Sequence, residues 1–253
     1  MIDPYFVLDV IFFIFGMLFG SFLNVCIYRI PRSISIADSF SRCPSCGNRI
    51  IWRDLIPVVS YLLLRGSCRQ CHSKISPVYP LVELINGFCW FLTWRVYGYD
   101  PRTLITALLL SVLIVIAFID AEHMIIPDSL NAAVLLLAAA YIAVAGSEAL
   151  TAHIIGLFAA SAPLLLAAIL TKGGMGGGDV KFMAAAGFFT GYRLILFSLL
   201  AGSVIGAIIS LIMIAVKKAG LKSMLPFGPF LAFGVALAIL YGDAIIVWYF
   251  QLF

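Results

Sequence analysis

The chain has 253 residues, of which 63% are hydrophobic and 11% are charged, and its formal net charge is +4. Soluble domains carry about 45–50% apolar and about 25% charged residues. The composition therefore excludes a soluble globular domain and a disordered chain, and it predicts an all-α polytopic membrane protein in the lipid bilayer.

Eight apolar segments follow one another along the chain and are predicted to be transmembrane helices. A spanning helix takes roughly 20 residues, so the short sixth segment either spans with help from its neighbours or merges with the seventh. The first segment is too long for a signal-peptide core and lacks a small-residue cleavage site, so we expect no signal peptide. The predicted spans are 6–28, 78–97, 103–120, 129–145, 151–171, 179–191, 194–216 and 227–250.

Lys and Arg are distributed unequally between the two sides of this predicted topology. Thirteen lie in the connections after the first, fifth and seventh spans, whereas Arg95, Arg102 and Arg193 lie on the other side. Basic residues accumulate in cytoplasmic loops, so both termini are predicted to lie outside, and the positive charge needs no nucleic-acid partner. The inner residues are Arg29, Arg32, Arg42, Arg49, Arg53, Arg65, Arg69, Lys74, Lys172, Lys181, Lys217, Lys218 and Lys222.

The one sizeable polar segment, residues 29–77, contains two Cys-x2-Cys pairs separated by 21 residues. This spacing is typical of a structural zinc ion bound by four thiolates, and the reducing cytoplasm favours zinc over the alternative of two disulfides. A closed shell of four thiolates leaves no position for a catalytic water, so the predicted zinc is structural. The predicted ligands are Cys43, Cys46, Cys68 and Cys71.

The chain has only 12 Asp and Glu residues, and an ionisable residue in lipid is costly enough to suggest a function. Some are expected to be solvated or structural because they lie in outer segments, in the polar segment or near outer helix ends: Asp3, Asp9, Asp38, Asp54, Asp100, Glu148 and Asp243. Five remain at the predicted inner face: Glu83, Asp120, Glu122, Asp128 and Asp179. We expect Glu122 to be hydrated and Asp128 to cap the following helix.

Asp120 and Asp179 differ from the other acids in their sequence surroundings. Asp120 is the first charge after the apolar run 113–119, and Asp179 follows the glycine-rich run 173–178. Because glycine favours non-helical backbone, Asp179 is expected to face a small wet cavity. Two carboxyl groups that meet can share a proton and activate water, as in aspartic proteases. From the residues alone, a catalytic pair and separate structural or transport roles for the two acids explain the sequence equally well.

The order of the motifs resembles the prepilin peptidase family, the bifunctional leader peptidases and N-methyltransferases of type IV pili and type II secretion. The resemblance covers nearly the whole chain, and the combination of a double Cys pair with G-x-G-D is specific. Its motifs are GSFLNVCIYRIP at 20–31, the two Cys pairs, YPLVE at 79–83, Asp120 with IPD at 126–128, GGGDVK at 176–181 and PFGPF at 226–230.

This resemblance implies an aspartic protease of the G-x-G-D type in the bacterial cytoplasmic (inner) membrane, with its active site facing the cytoplasm. The implied activity removes the leader of a prepilin or pseudopilin and then N-methylates the new N-terminal residue with S-adenosylmethionine. Carried over by motif, Asp120 and Asp179 are the catalytic pair, Gly176 and Gly178 support them, and the four cysteines are the zinc tetrad.

The resemblance also ties the first span and the polar segment to methyl transfer. The implied domains are a first transmembrane helix (1–28), a cytoplasmic zinc-binding insert (29–77) and a protease core (78–253). Candidates for binding the substrate or the methyl donor are Gly20, Asn24, Arg29 and Glu83, although Glu83 is equally explained by snorkelling to the cytoplasm.

Two hypotheses from other classes compete with the protease. In the first, a small membrane transporter or channel uses Asp120 and Asp179 as an ion or proton relay. In the second, the zinc-binding insert only recruits partner proteins, which leaves the G-x-G-D motif unexplained.

Overall fold

The computed structural model describes residues 4–37, 40–146, 150–171, 174–216 and 225–252. Within these ranges the chain is helical and has two isolated β-bridges but no β-sheet, which confirms the predicted all-α class. It divides into two compact units, Met1–Tyr99 and Asp100–Phe253. The sequence-based division assigned the helix at 78–97 to the protease core, whereas the structure groups it with the first helix.

The N-terminal unit contains two long antiparallel helices, α1 (Pro4–Arg29) and α3 (Val78–Tyr97), with the short helix α2 (Val59–Leu63) in the insert between them. Small residues let the two long helices approach closely, as is common in membrane proteins. A Cβ atom at Gly20 would lie only 2.8 Å from Cα of Glu83. Gly20 is therefore required for the packing of α1 against α3.

Polar contacts connect the same two helices at other levels. The side-chain amide of Asn86 donates a hydrogen bond to the backbone oxygen of Gly16 at 2.6 Å. Towards the other end, the carboxylate of Asp9 is paired with the guanidinium of Arg95 at 2.6 Å. Asp9 is buried, so the structural role expected for it takes the form of an ion pair between helices.

The helices of the C-terminal unit are α4 (Arg102–His123), α5 (Asp128–Ala145), α6 (Leu150–Ala159), α7 (Ser161–Leu170), α8 (Gly177–Ala215), α9 (Gly228–Leu237) and α10 (Asp243–Phe250), with a π-helical turn joining the last two. Helix α4 has many buried side chains and packs against α5 and α9. The long helix α8 contacts α5, α6, α7 and α9. The unit therefore has a core of apolar side chains from several helices.

The described residues contain six stretches long and apolar enough to cross a membrane, two fewer than the eight spans predicted. The difference has two sources. Helix α3 is not among the six, and the predicted sixth and seventh spans both fall within α8. The backbone of α8 is nevertheless interrupted at Gly191, where φ is 77° and ψ is 169°. The six stretches are 5–32, 102–123, 128–145, 150–170, 177–215 and 228–250.

The structure shows the exposure or the ion-pair partner of several acids named in the sequence analysis. Glu122 and Asp243 are exposed, and exposure is what the hydration predicted for Glu122 requires. The Asp100 carboxylate is paired with Arg102, whose hydrogen bonds lower the pKa of Asp100. Some residues named in the sequence analysis lie outside the described ranges, namely Asp3, Asp38, Glu148, Lys172, Gly173, Lys217, Lys218 and Lys222.

Candidate active site

Asp120 lies near the C-terminal end of α4 and is only 5% exposed. Its Oδ2 atom accepts a hydrogen bond from the backbone N–H of Gly228 at 2.9 Å. Because Gly228 is the first residue of α9, this N–H has no acceptor within its own helix. A Cβ atom at Gly228 would lie 2.7 Å from the same oxygen. The contact therefore requires glycine, a role for the motif at 226–230 that the sequence did not reveal.

Asp179 lies in the first turn of α8 and is partly buried. Its backbone N–H donates to the oxygen of Gly176 at 3.1 Å. A Cβ atom at Gly176 would lie 3.0 Å from Oδ2 of Asp179, and one at Gly178 would lie 3.2 Å from Cβ of Ile126, whereas one at Gly177 would contact nothing within 4 Å. The two glycines of the motif thus occupy the crowded positions, and the variable position is open.

The structure brings the carboxyl groups of Asp120 and Asp179 close enough for their charges to interact. One comes from the C-terminal end of α4 and the other from the N-terminal end of α8. Like charges at short range favour a state in which the pair binds one proton. Such a pair can accept a proton at one oxygen and donate it from another.

A salt bridge connects the N-terminal ends of α5 and α8 beside Asp179. The ammonium group of Lys181 lies 2.9 and 3.0 Å from the two carboxylate oxygens of Asp128. The prediction that Asp128 caps α5 is wrong, because Pro127 occupies the capping position and Asp128 is the first helical residue. Its exposed side chain therefore extends to α8 instead of folding back on its own helix.

The four predicted zinc ligands converge in the N-terminal unit, with all four Sγ atoms within 4.8 Å of one another. The Sγ atoms of Cys43 and Cys71, one from each pair, are 3.8 Å apart. Zinc with Zn–S bonds of about 2.3 Å in tetrahedral geometry separates its sulfurs by about 3.8 Å. The donor set and its spacing therefore fit a tetrahedral metal ion.

Each Cys pair lies in a tight turn with the same hydrogen bond. The N–H of Gly47 donates to the oxygen of Cys43 at 2.8 Å, and the N–H of His72 donates to the oxygen of Cys68 at 3.0 Å. Both donors have positive φ, 71° for Gly47 and 56° for His72. His72 thus occupies the position that glycine occupies in the first turn.

Hydrogen bonds also favour the thiolate form that binds metals. The backbone N–H of Cys46 lowers the pKa of the Cys43 thiol to about 6. The hydroxyl of Ser73 lowers the pKa of the Cys71 thiol. These hydrogen bonds favour the thiolate form at Cys43 and Cys71. At Cys46 the backbone N–H of Asn48 lowers the pKa of the thiol, but burial and the side chains of Cys43 and Cys71 outweigh it and raise that pKa to about 11.

A cavity of about 690 Å³ lies within the N-terminal unit, bounded by the insert and by parts of α1 and α3. Three of the four residues predicted to bind the substrate or methyl donor line it, namely Asn24, Arg29 and Glu83. The fourth, Gly20, lies in the contact between the helices instead. The sequence-based candidates therefore divide into three lining residues and one packing residue.

Glu83 has a contact that the sequence did not predict. It is 8% exposed, and its Oε2 atom accepts a hydrogen bond from the backbone N–H of Val58 at 2.8 Å. The side chain therefore joins α3 to the insert and does not extend into solvent. This arrangement indicates a structural contact of the Glu83 carboxylate with the insert, and it does not indicate snorkelling to the cytoplasm.

Basic side chains of the insert have partners within the insert. The guanidinium of Arg69 contacts the carboxylate of Asp54 at 2.6 Å, and its hydrogen bonds lower the pKa of Asp54. The guanidinium of Arg49 lies 3.2 Å from the ring centroid of Phe40. These two basic side chains therefore stabilise the insert through local contacts, besides contributing to the charge difference that predicts the topology.

Two protein-family models match the chain, one in each compact unit. The model described as "Bacterial Peptidase A24 N-terminal domain" matches residues 14–97, and the "Type IV leader peptidase family" model matches residues 107–211. The first match contains the thiol cluster and Glu83, and the second contains Asp120 and Asp179.

Curated relatives match nearly the whole chain. A Bacillus subtilis protein named "Prepilin leader peptidase/N-methyltransferase" is 32% identical over 242 residues, which cover 96% of this chain and 98% of the relative. Proteins of the same name from Stutzerimonas stutzeri and Pseudomonas aeruginosa are 33% and 32% identical, over 94% and 93% of this chain and 92% and 91% of theirs. No solved structure matches the chain.

Proposed function

The chain belongs to the type IV leader peptidase family, and we propose that it is a membrane aspartic endopeptidase with N-methyltransferase activity. It removes the leader of type IV prepilins or type II secretion pseudopilins and then methylates the new N-terminal residue. The observation that carries the proposal is the convergence of Asp120 and Asp179 within the segment that matches the leader peptidase family. Family membership also favours an enzyme over the alternative of a transporter with an ion relay.

Peptide hydrolysis requires a base for the attacking water and an acid for the carbonyl oxygen and the leaving amine. A carboxyl pair that shares one proton provides both. The ionised carboxylate takes a proton from water as the water oxygen attacks the scissile carbonyl, and the protonated carboxyl donates a hydrogen bond to the carbonyl oxygen. The tetrahedral intermediate then collapses with cleavage of the C–N bond, and the carboxyl pair donates the proton taken from water to the leaving amine. Because the pair titrates as a unit, the proton is assigned to neither Asp120 nor Asp179.

The residues around the pair have positioning roles in this mechanism. The backbone N–H of Gly228 orients the Asp120 carboxylate through its 2.9 Å hydrogen bond. Gly176 leaves room for the Asp179 carboxylate, and Gly178 lets α8 start close to Ile126. The hydrogen bond from Gly228 restricts the Asp120 carboxylate, which lowers the cost of reaching the reactive geometry.

The proposed topology places this chemistry at the inner membrane interface. A prepilin has a charged leader followed by an apolar helix, so its cleavage site lies at that interface. Asp120 and Asp179 are near the ends of α4 and α8. Counting α3 and the two parts of α8 on either side of Gly191 as separate spans gives eight, with both termini outside and the active site facing the cytoplasm.

Methyl transfer belongs, in this proposal, to the N-terminal unit. Its cavity of about 690 Å³ falls within the usual size of a small-molecule site. Asn24, Arg29 and Glu83 would line the binding site for S-adenosylmethionine, which supplies the methyl group when bound. A zinc ion bound by the four cysteines would stabilise the insert that forms one wall of the cavity.

The test is incubation of the purified protein in nanodiscs with a prepilin, with and without S-adenosylmethionine, followed by mass spectrometry. The expected products are the mature pilin without the donor and the singly methylated mature pilin with it. Asp243→Asn is the control, because Asp243 is exposed and distant in sequence from both motifs. A full-length, unmodified prepilin after incubation with wild-type protein would refute the proposal.

A further inference from the structure

The insert contains an apolar segment, residues 51–63, that the sequence did not distinguish from the polar residues around it. Three of its large apolar side chains are largely exposed: Trp52 is 70% exposed, Leu62 is 67% exposed and Leu63 is 78% exposed. Exposed apolar surface of this kind marks a site of interaction with a protein or a membrane.

The contact between Val58 and Glu83 shows where this segment lies along the length of α1 and α3. From the start of α3 at Val78 to Glu83, the helix rises about 8 Å. Gly20, which packs against Glu83, lies about 13 Å from the end of α1 at Arg29 by the same rise per residue. Val58 is therefore level with the interior of α1, within the stretch long and apolar enough to cross a membrane.

The backbone of the segment is hydrogen-bonded where it meets α3. The N–H of Val59 donates to the oxygen of Pro57 at 2.5 Å and closes a γ-turn centred on Val58, whose φ is 60° and ψ is −49°. The N–H of Val58 donates to Glu83, and α2 follows directly. Irregular backbone at membrane depth is tolerated only where its polar groups have protein or water partners. Glu83 satisfies that requirement at the most strained residue.

One basic residue lies within the apolar segment, and another follows it in sequence. Arg53 and Arg65 are both exposed, and the guanidinium of Arg53 lies 5.4 Å from the centroid of the Trp52 ring. Tryptophan is enriched at membrane interfaces, and exposed Arg and Lys are attracted to anionic headgroups. This combination of charge and apolar surface is complementary to an anionic lipid surface.

We propose that the apolar segment inserts into the leaflet at the C-terminal end of α1, at the boundary between headgroups and acyl chains. Trp52, Leu62 and Leu63 enter the lipid, and Arg53 and Arg65 contact anionic headgroups. One side of the insert is then covered by the bilayer, whereas the sequence had assigned the whole insert to the cytoplasm. The inference does not depend on which reactions the protein catalyses.

The experiment measures tryptophan fluorescence of the full chain in nanodiscs that contain anionic lipid. Subtracting the spectrum of Trp52→Phe from that of the wild type isolates the Trp52 signal. Bromine atoms placed on the acyl chains near the headgroup are expected to quench it roughly twice as strongly as bromines near the chain end, as for an interfacial side chain. Aqueous iodide should have little effect on it.

Trp90→Phe provides the matched control, because Trp90 is 8% exposed and its isolated signal should respond weakly to both quenchers. Retained metal binding by the four cysteines in Trp52→Phe verifies that the insert is folded. Quenching of Trp52 by iodide but not by brominated lipid would overturn the proposal. Shielding of Trp52 from iodide only after a prepilin is added would also overturn it, in favour of a protein partner.

Discussion

The thiol cluster of the N-terminal unit and the carboxyl pair of the C-terminal unit are assembled in opposite ways. Each Cys pair lies in one tight turn, closed by a hydrogen bond from Gly47 or His72. Asp120 and Asp179 instead come from the ends of two separate helices. A locally built metal site is therefore visible in residue spacing, whereas a carboxyl pair built by helix packing is visible only in the fold or in a family motif.

The same comparison predicts that the two chemistries can be separated. If cleavage depends on the carboxyl pair and methylation on the insert, a change in one unit should leave the reaction of the other intact. The following predictions test this separation, beginning with the largest expected effect.

Asp120→Asn and Asp179→Asn should each lower the rate of leader cleavage by more than about 10³-fold, because each removes a member of the proton-sharing pair. Cleavage of a prepilin is followed by mass spectrometry. Methylation of a synthetic mature pilin, which needs no cleavage, should remain near the wild-type rate. Normal cleavage by either variant would refute the catalytic assignment.

Replacing Cys43 and Cys46 together with serine should release zinc and lower methylation by about 10²-fold or more, because a structural zinc site contributes folding free energy directly. Metal content is measured by atomic absorption and methylation with the mature pilin. Leader cleavage should change little. Loss of cleavage together with methylation would show that the two units are not functionally separate, and unchanged metal content would refute the zinc site.

Gly228→Ala should reduce cleavage by about 10–10²-fold, because small displacements of a reacting group cost rates of this order. The added Cβ would lie 2.7 Å from the Asp120 carboxylate oxygen, so the carboxylate must move. Gly177→Ala is the matched control, since its Cβ would contact nothing within 4 Å. Equal rates for the two variants would contradict the positioning role of Gly228.

Asp54→Asn should lower the melting temperature by only a few degrees, because its partner Arg69 is largely exposed and exposed pairs contribute little. Arg69 lowers the pKa of Asp54, so the ionised pair stabilises the insert at neutral pH and this contribution is lost as the pH falls through the lowered pKa. The difference in melting temperature between wild type and variant should therefore close in acid. A difference that grows at low pH would contradict this ion pair.

Much of the fold was predictable because membrane helices are long and apolar. The predicted spans 103–120, 129–145 and 227–250 lie within or closely overlap observed helical stretches. The count differed for two physical reasons. Polar residues such as Glu83 and Asn86 lower the mean hydropathy of α3, so this helix is not among the six apolar stretches. The helix α8 continues through Gly191 without a polar loop, and hydropathy along the chain does not record that break.

The candidate sites show the same division between local and long-range information. The four cysteines were predictable from spacing, and Asp120 and Asp179 from motif order. The hydrogen bond from Gly228 to Asp120 was not predictable, because a backbone donor leaves no trace in residue type. The apolar segment 51–63 was not predicted, because the many basic residues of the insert led us to classify all of residues 29–77 as polar.

The break at Gly191 also limits how this protein can vary. At φ 77° and ψ 169°, its backbone conformation is accessible essentially to glycine alone. A library of all substitutions at positions 188–196, selected for pilus assembly or leader removal, should retain glycine at 191. It should accept many residues at exposed neighbours such as Tyr192 and Leu196. Within this window, position 191 would then be restricted by its backbone conformation, whereas buried positions such as Phe189 and Ile195 would be restricted by packing.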